Sequence, residues 1–351
     1  MIPMKRYDGS ISSALCMRAS HTTIHSHHLP DMTHFTSTSA SSCDTVSRGM
    51  ASCDIVSCDI TSSGIVPEQE EHNEPLQGLP ATVNIDGTEV TFGPYLPARR
   101  AAEAYCRSVG ITLPFPKVYQ KLNIPRAKQV AQLYEEMKHA PDDPIVLASF
   151  QALCDETWAQ WQFIKRTGLQ VEFAQTNQPY TNPRKAILDI SENNHFYVTS
   201  TRGAFGSNEQ GSNLALERDD DPNPMLALTD EIISGQPALL NDIFRIVHDF
   251  FGHAKEGLGF RAAGEDNAWR GHATMFSPLA RRALATELRG QNSWVNYGPY
   301  GASNRKAGMD DTVFAPQKLG LLPEWVAWEG AADEVVQPSA ASSTPCSEKV
   351  V

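Results

Sequence analysis

Potential metal ligands are concentrated in one part of the chain, residues 241–300. Three of the eleven histidines, His248, His253 and His272, fall within 25 residues of one another there. Two of the glutamates in the same stretch, Glu265 and Glu287, lie among them, and apolar residues surround all five side chains. Outside this stretch the sequence brings no comparable set of ligands next to apolar residues. We therefore expect the fold, and any active site, to be organised around it.

A buried helix is predicted to lead into His248, over Leu239–Phe251. The apolar residues around His248 recur at helical spacing, and they are Ile243, Phe244, Val247 and Phe251. On an ideal helix, two histidines five positions apart diverge by roughly 140°. Gly252 lies between His248 and His253, and glycine readily ends or kinks a helix. If the helix loosens there, one metal ion could bridge both imidazoles.

The third ligand is expected to be a carboxylate from another helix. Leu279–Arg289 is rich in Ala, Leu and Arg, and Pro278 suits a first turn. Glu287 lies near the end of this helix, where a carboxylate opposes the helix dipole. A compensating cation is therefore expected, either a metal ion or the adjacent Arg289. Two histidines and one carboxylate, with open positions, are the ligand set of non-haem iron(II) that activates oxygen.

A family resemblance points to the same chemistry. The motif His-Asp-Phe-Phe-Gly-His at 248–253 resembles the His-Asp/Glu-x-x-Gly-His motif of the pterin-dependent aromatic amino acid hydroxylases. Thr286-Glu287 is similar in placement to that family's later glutamate. The resemblance covers about 248–290. It implies that His248, His253 and Glu287 bind iron, that the catalytic domain is mostly helical, and that dioxygen and a tetrahydropterin are used.

A second resemblance covers more of the chain and implies no chemistry. Residues 95–325 resemble segments of uncharacterised proteins from tailed phages and mobile elements. It leaves open a protein that works by binding partners, in which the histidine cluster is a structural metal site or a polar core.

Other residues of the stretch are candidates for catalysis. Glu265 and His272 are seven positions apart, which places them on one helical face with Trp269 between them. They offer an alternative carboxylate and imidazole for the metal, and otherwise Glu265 is predicted to act as an acid or base beside it. Asp249 is predicted to orient a ligand from outside the metal's own ligand set, and a surface position is the alternative.

The segment after the second helix is predicted to contact substrate. Its candidate residues are Arg289, Gln291, Asn292 and Trp294. Arginine suits bidentate recognition of a carboxylate, and the tryptophan suits a planar group. The alternative for Arg289 is an ion pair with Glu287.

Composition divides the chain into three parts. Residues 1–80 are rich in Ser, Thr and His and poor in large apolar residues, and 331–351 is rich in Ser and Ala. Both are predicted to be disordered. Residues 81–330 are predicted to form a single, mainly α domain (α+β) with a few short strands. Its predicted elements are a hairpin turning at Asp86-Gly87, helices over Leu96–Val109, Ala127–Lys138 and Pro144–Arg166, and strands over Leu169–Phe173 and His195–Val198.

Charge and composition narrow the class of partner and the location. The formal net charge is −12, which disfavours binding to nucleic acid or to an anionic membrane. The sequence has no apolar run of 18 residues or more, so no membrane span is expected. The seven cysteines lack ligand-type spacing, and reduced thiols predict a cytoplasmic protein.

These observations combine into one functional hypothesis. We expect an iron(II)-dependent oxygenase or hydroxylase of the monooxygenase type that acts on a small molecule, aromatic ones included. Fe(II) is the expected metal and tetrahydropterin the candidate cosubstrate. A hydrolase that uses zinc or manganese at the same ligands is the alternative enzyme. The sequence leaves the oligomeric state open.

Overall fold

The computed structural model describes residues 74–79, 82–176, 179–202, 222–308 and 311–329. All of them belong to one compact unit, Ile65–Val351. The predicted disorder of the leader, apart from Glu74–Leu79, and of the tail falls outside the described residues. In the described part, no helix has the length and apolar character needed to cross a membrane.

Helices dominate the described part of the chain, which confirms the mainly α prediction. We number the α-helices α1 to α10 in chain order: Leu96–Ser108, Ile124–Glu136, Pro144–Lys165, Arg184–Leu188, Leu240–His248, Ala262–Ala273, Pro278–Leu284, Gln291–Tyr297, Gly301–Asn304 and Glu324–Trp328. Three π-helical turns extend them, namely π1 (Asp189–Asn193), π2 (Asp249–His253) and π3 (Ala285–Gly290). Short 3₁₀ turns span Pro224–Leu226 and Ala254–Glu256.

In the described residues, the strands form three separate two-stranded sheets. The strands β1 to β6 are Thr82–Ile85, Thr88–Thr91, Gln170–Phe173, His195–Val198, Leu228–Ile233 and Gln236–Leu239. β1 pairs antiparallel with β2, β3 parallel with β4, and β5 antiparallel with β6. The first hairpin turns at Asp86 and Gly87, both with positive φ (50° and 87°), which is the geometry that the Asp-Gly pair predicts.

Helix α3 is the centre of the main hydrophobic core. Asp143 caps its first turn by accepting hydrogen bonds from the backbone N–H groups of Ile145 and Val146. Its apolar face packs with α1, α5 and α7 around fully buried side chains such as Phe150 and Leu153. This packing holds α5, the helix that carries His248 and continues into the π2 turn, against α3. A smaller apolar cluster joins α2, α8 and α10.

The π turns are where the structure departs from the predicted helices. The predicted helix Leu239–Phe251 is an α-helix only to His248 and continues as π2 through His253. The predicted helix Leu279–Arg289 likewise changes from α7 into π3 at Ala285. A π turn closes hydrogen bonds to the carbonyl five residues back and is frequent at functional sites. Helical periodicity does not reveal such a turn, because the apolar pattern changes by only one residue.

Candidate metal centre

The π2 turn brings His248 and His253 together. The backbone N–H of Ala254 donates to the carbonyl of Asp249, five residues earlier. Residues five apart in such a turn come onto nearly one face, and the two imidazole centroids are 4.9 Å apart. The loosening predicted around Gly252 is therefore present, as a π turn.

Gly252 is required by the packing of the His248 ring. A Cβ atom at this position would lie 2.9 Å from both Cε1 and Nδ1 of His248. The ring occupies the space that a side chain would need. The glycine of the motif therefore has a steric role, which explains why it lies between the two histidines.

Glu265, in the first turn of α6, is the carboxylate that the structure brings to the two imidazoles. Its Oε2 lies 3.2 Å from Nε2 of His253 and 3.6 Å from Nε2 of His248. The three ligand atoms all lie within 4.8 Å of one another. A metal ion with bonds of ~2.1 Å needs its ligand atoms ~3.0–3.4 Å apart, so small side-chain movements would close this set around an ion.

The structure places Glu287 in an environment different from that of Glu265, and its predicted role as a metal ligand stays a prediction. Glu287 lies in π3, where the amide of Gln317 donates to both carboxylate oxygens at 2.8 Å. The amide of Gln291 donates to Oε2 at 2.7 Å. Burial raises the pKa of Glu287 to about 7. The family resemblance favoured Glu287 over Glu265, because sequence order does not reveal which helix faces the histidines.

The charges of the cluster are those of an ion pair. Burial on its own would raise the pKa of Glu265, but the His253 and His248 imidazoles reverse this and hold the pKa far below its ordinary value. Burial would lower the pKa of His253, yet the Glu265 carboxylate outweighs it and raises that pKa. Glu265 is therefore ionised, as a metal ligand must be.

One buried atom of the cluster lacks a hydrogen bond. Nε2 of His248 is buried and has no partner within hydrogen-bond distance. A buried polar atom without a partner costs roughly 1–3 kcal/mol. A metal ion between His248, His253 and Glu265 would satisfy this atom, and the two nitrogens with one carboxylate are donors that suit a divalent transition metal. The residues present thus fit a metal ion.

Contacts on the far side of each ring fix its orientation. Nδ1 of His253 lies 3.2 Å from the backbone carbonyl of Leu258. Nδ1 of His248 lies 3.3 Å from Nδ1 of His272, and Nε2 of His272 lies 2.8 Å from Oε1 of Gln160. His272 was predicted as a catalytic residue or an alternative ligand; the structure places it behind His248, away from Glu265.

Two phenylalanines cover the imidazoles. The Phe260 ring stacks on His253 at 4.2 Å between centroids, and the Phe244 ring is parallel to His248 at 6.4 Å. His253 is 1% exposed, whereas the Glu265 side chain is 25% exposed. Access to the cluster is therefore from the side of Glu265.

Asp249 lies outside the cluster of three ligand atoms. Burial raises the pKa of its carboxyl group, and this outweighs the attraction of the His253 and His248 imidazoles. Its predicted role in orienting a ligand stays a prediction.

The four predicted substrate contacts are engaged inside the protein. Arg289 is buried and donates to the carbonyl of Val326 at 2.8 Å and to the carboxylate of Glu329 at 3.0 Å, rather than pairing with Glu287. Trp294 is also buried, and its indole N–H donates to Glu135.

The remaining two of the four have internal partners as well. Gln291 binds Glu287, and the side-chain amide of Asn292 donates to the carbonyl of Ala262 at 3.2 Å. These contacts attach α8 and α10 to the rest of the domain. Internal hydrogen bonds do not test substrate binding, so the role of these four residues in substrate contact stays a prediction.

Sequence analysis missed Gln160 and Gln317. Gln160 occupies a buried position on the apolar face of α3 and is fully buried. A polar residue at a core position of a long amphipathic helix is a usable signal, since such a group must find a partner. For Gln317 the surrounding sequence contains no such signal.

Comparison with known proteins adds no family to this picture. No protein-family model, curated protein or solved structure matches the chain. Both resemblances described above therefore stay predictions.

Proposed function

We propose that His248, His253 and Glu265 bind one iron(II) ion and that the domain is a non-haem iron oxygenase acting on a small molecule. The observation that carries the proposal is the unpartnered, buried Nε2 of His248, which faces the same Glu265 oxygen as Nε2 of His253. Two histidines and one carboxylate leave positions on the metal open, and iron(II) held in this way activates oxygen.

The protein's own residues have distinct tasks in this proposal. Glu265 supplies the negative charge that offsets the metal, and its partial exposure leaves this side of the cluster open to solvent. Phe260 and Phe244 exclude water from the other sides of the imidazoles. The low dielectric that results strengthens the interaction between Glu265 and a cation. On the resemblance to the aromatic amino acid hydroxylases, a tetrahydropterin would supply the two electrons that a monooxygenase reaction needs.

The same ligand set also supports a hydrolase. Two histidines and a glutamate hold the catalytic zinc of several metallopeptidases. In that case the metal would activate water, and the reaction would need no oxygen.

Metal loading followed by oxygen measurement tests the proposal. The full chain is loaded with Fe(II) without oxygen, desalted and assayed for iron, and oxygen uptake is then followed with tetrahydropterin and a set of aromatic amino acids. We expect about one iron per chain and substrate-dependent oxygen uptake. Absence of bound iron would defeat the proposal. Tight zinc binding without oxygen uptake, together with ester or peptide hydrolysis, would favour the hydrolase, and metal binding that only raises Tm would indicate a structural site.

A further inference from the structure

A series of three side chains connects helix α3 to the candidate metal centre. Gln160 of α3 contacts His272 of α6, and His272 contacts His248 of α5, at the distances given above. Gln160 and His272 are both fully buried, and His248 is 7% exposed. Since water does not reach these contacts, the hydrogens must be arranged among the three side chains themselves.

The chemistry of the groups fixes this arrangement. The amide oxygen of Gln160 can only accept, so Nε2 of His272 carries the hydrogen and donates it. A neutral imidazole has one N–H, and Nδ1 of His272 must then accept. His272 faces only an amide and another imidazole, so nothing compensates a positive charge in this buried position. The donor to His272 is accordingly Nδ1–H of His248, so Nε2 is the nitrogen of His248 that remains for a metal ion.

We propose that Gln160 and His272 are positioning residues that hold a hydrogen on Nδ1 of His248 and aim its Nε2 at the metal ion; this rests on the proposed metal site. The ring of His253 is oriented in a different way, because its Nδ1 contacts the backbone carbonyl of Leu258. A substitution cannot remove a backbone carbonyl, whereas it can remove the His272 side chain that contacts His248. Outer partners of this kind typically contribute ~10–100-fold to metal affinity.

Cobalt(II) binding to the full chain tests the proposal. Binding is followed by the visible spectrum of the bound ion and by competition with a chelator. His272→Leu removes the acceptor, and we expect it to weaken Co(II) binding by ~10–100-fold and to change the spectrum. His272→Asn keeps an oxygen acceptor near the position of Nδ1 and should retain most of the affinity. Gln160→Leu should fall between the two.

The matched control is Phe276→Leu. Phe276 packs against the His272 ring at 4.9 Å between centroids and makes no polar contact to it. This variant disturbs the same part of the core and should bind Co(II) like the wild type. Equal affinities for His272→Leu and Phe276→Leu would overturn the positioning role. If His272→Leu does not fold, the comparison of His272→Asn and Gln160→Leu with the control carries the test.

A direct measurement needs no variant. Nitrogen NMR of the metal-free protein labelled at histidine distinguishes the ring nitrogens that carry hydrogen. We expect hydrogen on Nδ1 of His248 and on Nε2 of His272, and hydrogen on Nδ1 of His272 would overturn the inference. Failure of the wild type to bind Co(II) would instead defeat the metal site itself, so the two proposals fail in different ways.

Discussion

Glu265 and Glu287 occupy two different kinds of buried environment within one domain. Glu265 faces two imidazoles, and its pKa lies far below the ordinary value despite burial. Glu287 faces the amides of Gln291 and Gln317, and its pKa is raised to about 7. Amides donate hydrogen bonds without carrying charge, so they compensate a buried carboxylate only in part. The comparison indicates that the groups around a buried acid, rather than its burial, decide whether it is ionised and can bind a cation.

The π2 and π3 turns show a similar contrast in the backbone. Both contain a glycine without space for a side chain. In π2, the His248 ring fills the space that a side chain at Gly252 would need. In π3, a Cβ at Gly290 would lie 2.7 Å from the Tyr134 ring and 2.9 Å from Leu322. The first glycine makes room for a candidate ligand, and the second makes room for core packing. A π turn with a glycine is therefore found both at the candidate metal centre and in a part of the core that only packs.

The largest expected effect is on metal binding by the two glutamates. Glu265→Gln removes the only charged ligand of the proposed set, so we expect Co(II) affinity to fall by more than the ~100-fold that loss of an outer partner can cost. Glu287→Gln is the matched control and should bind Co(II) like the wild type. The measurement is chelator competition, with circular dichroism to verify folding. A larger loss in Glu287→Gln than in Glu265→Gln would restore the ligand set that the family resemblance implied.

The next effect is the pH dependence of stability at Glu287. Its pKa is raised from 4.5 in the unfolded chain to about 7 in the fold. The stability that this carboxyl group contributes is therefore fully present below pH 4.5 and is lost as the pH rises through 7. The loss amounts to ~3 kcal/mol, since each pKa unit corresponds to ~1.4 kcal/mol.

Glu287→Gln cannot ionise, so its free energy of unfolding should rise relative to the wild type by up to that amount between about pH 4.5 and 8. Urea denaturation of both proteins across this range measures the difference in free energy of unfolding. The other titrating groups contribute equally in the two proteins, so their contributions cancel. A difference that does not change with pH would show that Glu287 is ionised throughout.

The two glycines provide the third test. Gly252→Ala and Gly290→Ala each force a side chain into occupied space, and overpacking of this kind costs about 1–3 kcal/mol. We expect both variants to lower the free energy of unfolding, whereas only Gly252→Ala should also weaken Co(II) binding, because it displaces the His248 ring.

Gly271→Ala in α6 is the control for this pair. Its Cβ would have no neighbour nearer than Nζ of Lys255 at 3.8 Å. A gain of ~0.5–1 kcal/mol is expected there, since alanine suits a helix interior better than glycine. Equal metal affinity in Gly252→Ala and Gly290→Ala would contradict the steric role assigned to Gly252.

The smallest effect is expected at Thr286, next to Glu287. Its buried hydroxyl donates to the carbonyl of Gly320 at 2.9 Å. Thr286→Val leaves that carbonyl without its partner and should cost about 1 kcal/mol, measured by urea denaturation. Co(II) affinity should stay unchanged. A change in metal binding would indicate that π3 and the candidate metal centre are coupled.

Local rules accounted for most of the secondary structure. The helices starting at Leu96 and Pro144 begin where predicted, each with a proline in its first turn. The Asp-Gly turn between β1 and β2 also lies where predicted. These features depend on residues within a few positions of one another, so a single sequence contains the information. The predicted pairing of His248 with His253 belongs to the same class, because both lie on one turn of the backbone.

The partners of that pair were decided by tertiary packing. Glu265 and Glu287 both follow His248 and His253 in helical segments, and a single sequence does not show which of them lies near the two imidazoles. That depends on where α6 and π3 lie relative to π2, which many weak apolar contacts decide together. The same is true of Gln160, which reaches His272 across the core from 112 residues away. The sequence by itself determined a mainly helical domain and two imidazoles on one turn; the tertiary structure decided which acid and which outer partner meet them, because contacts between distant segments exist only once the core has formed.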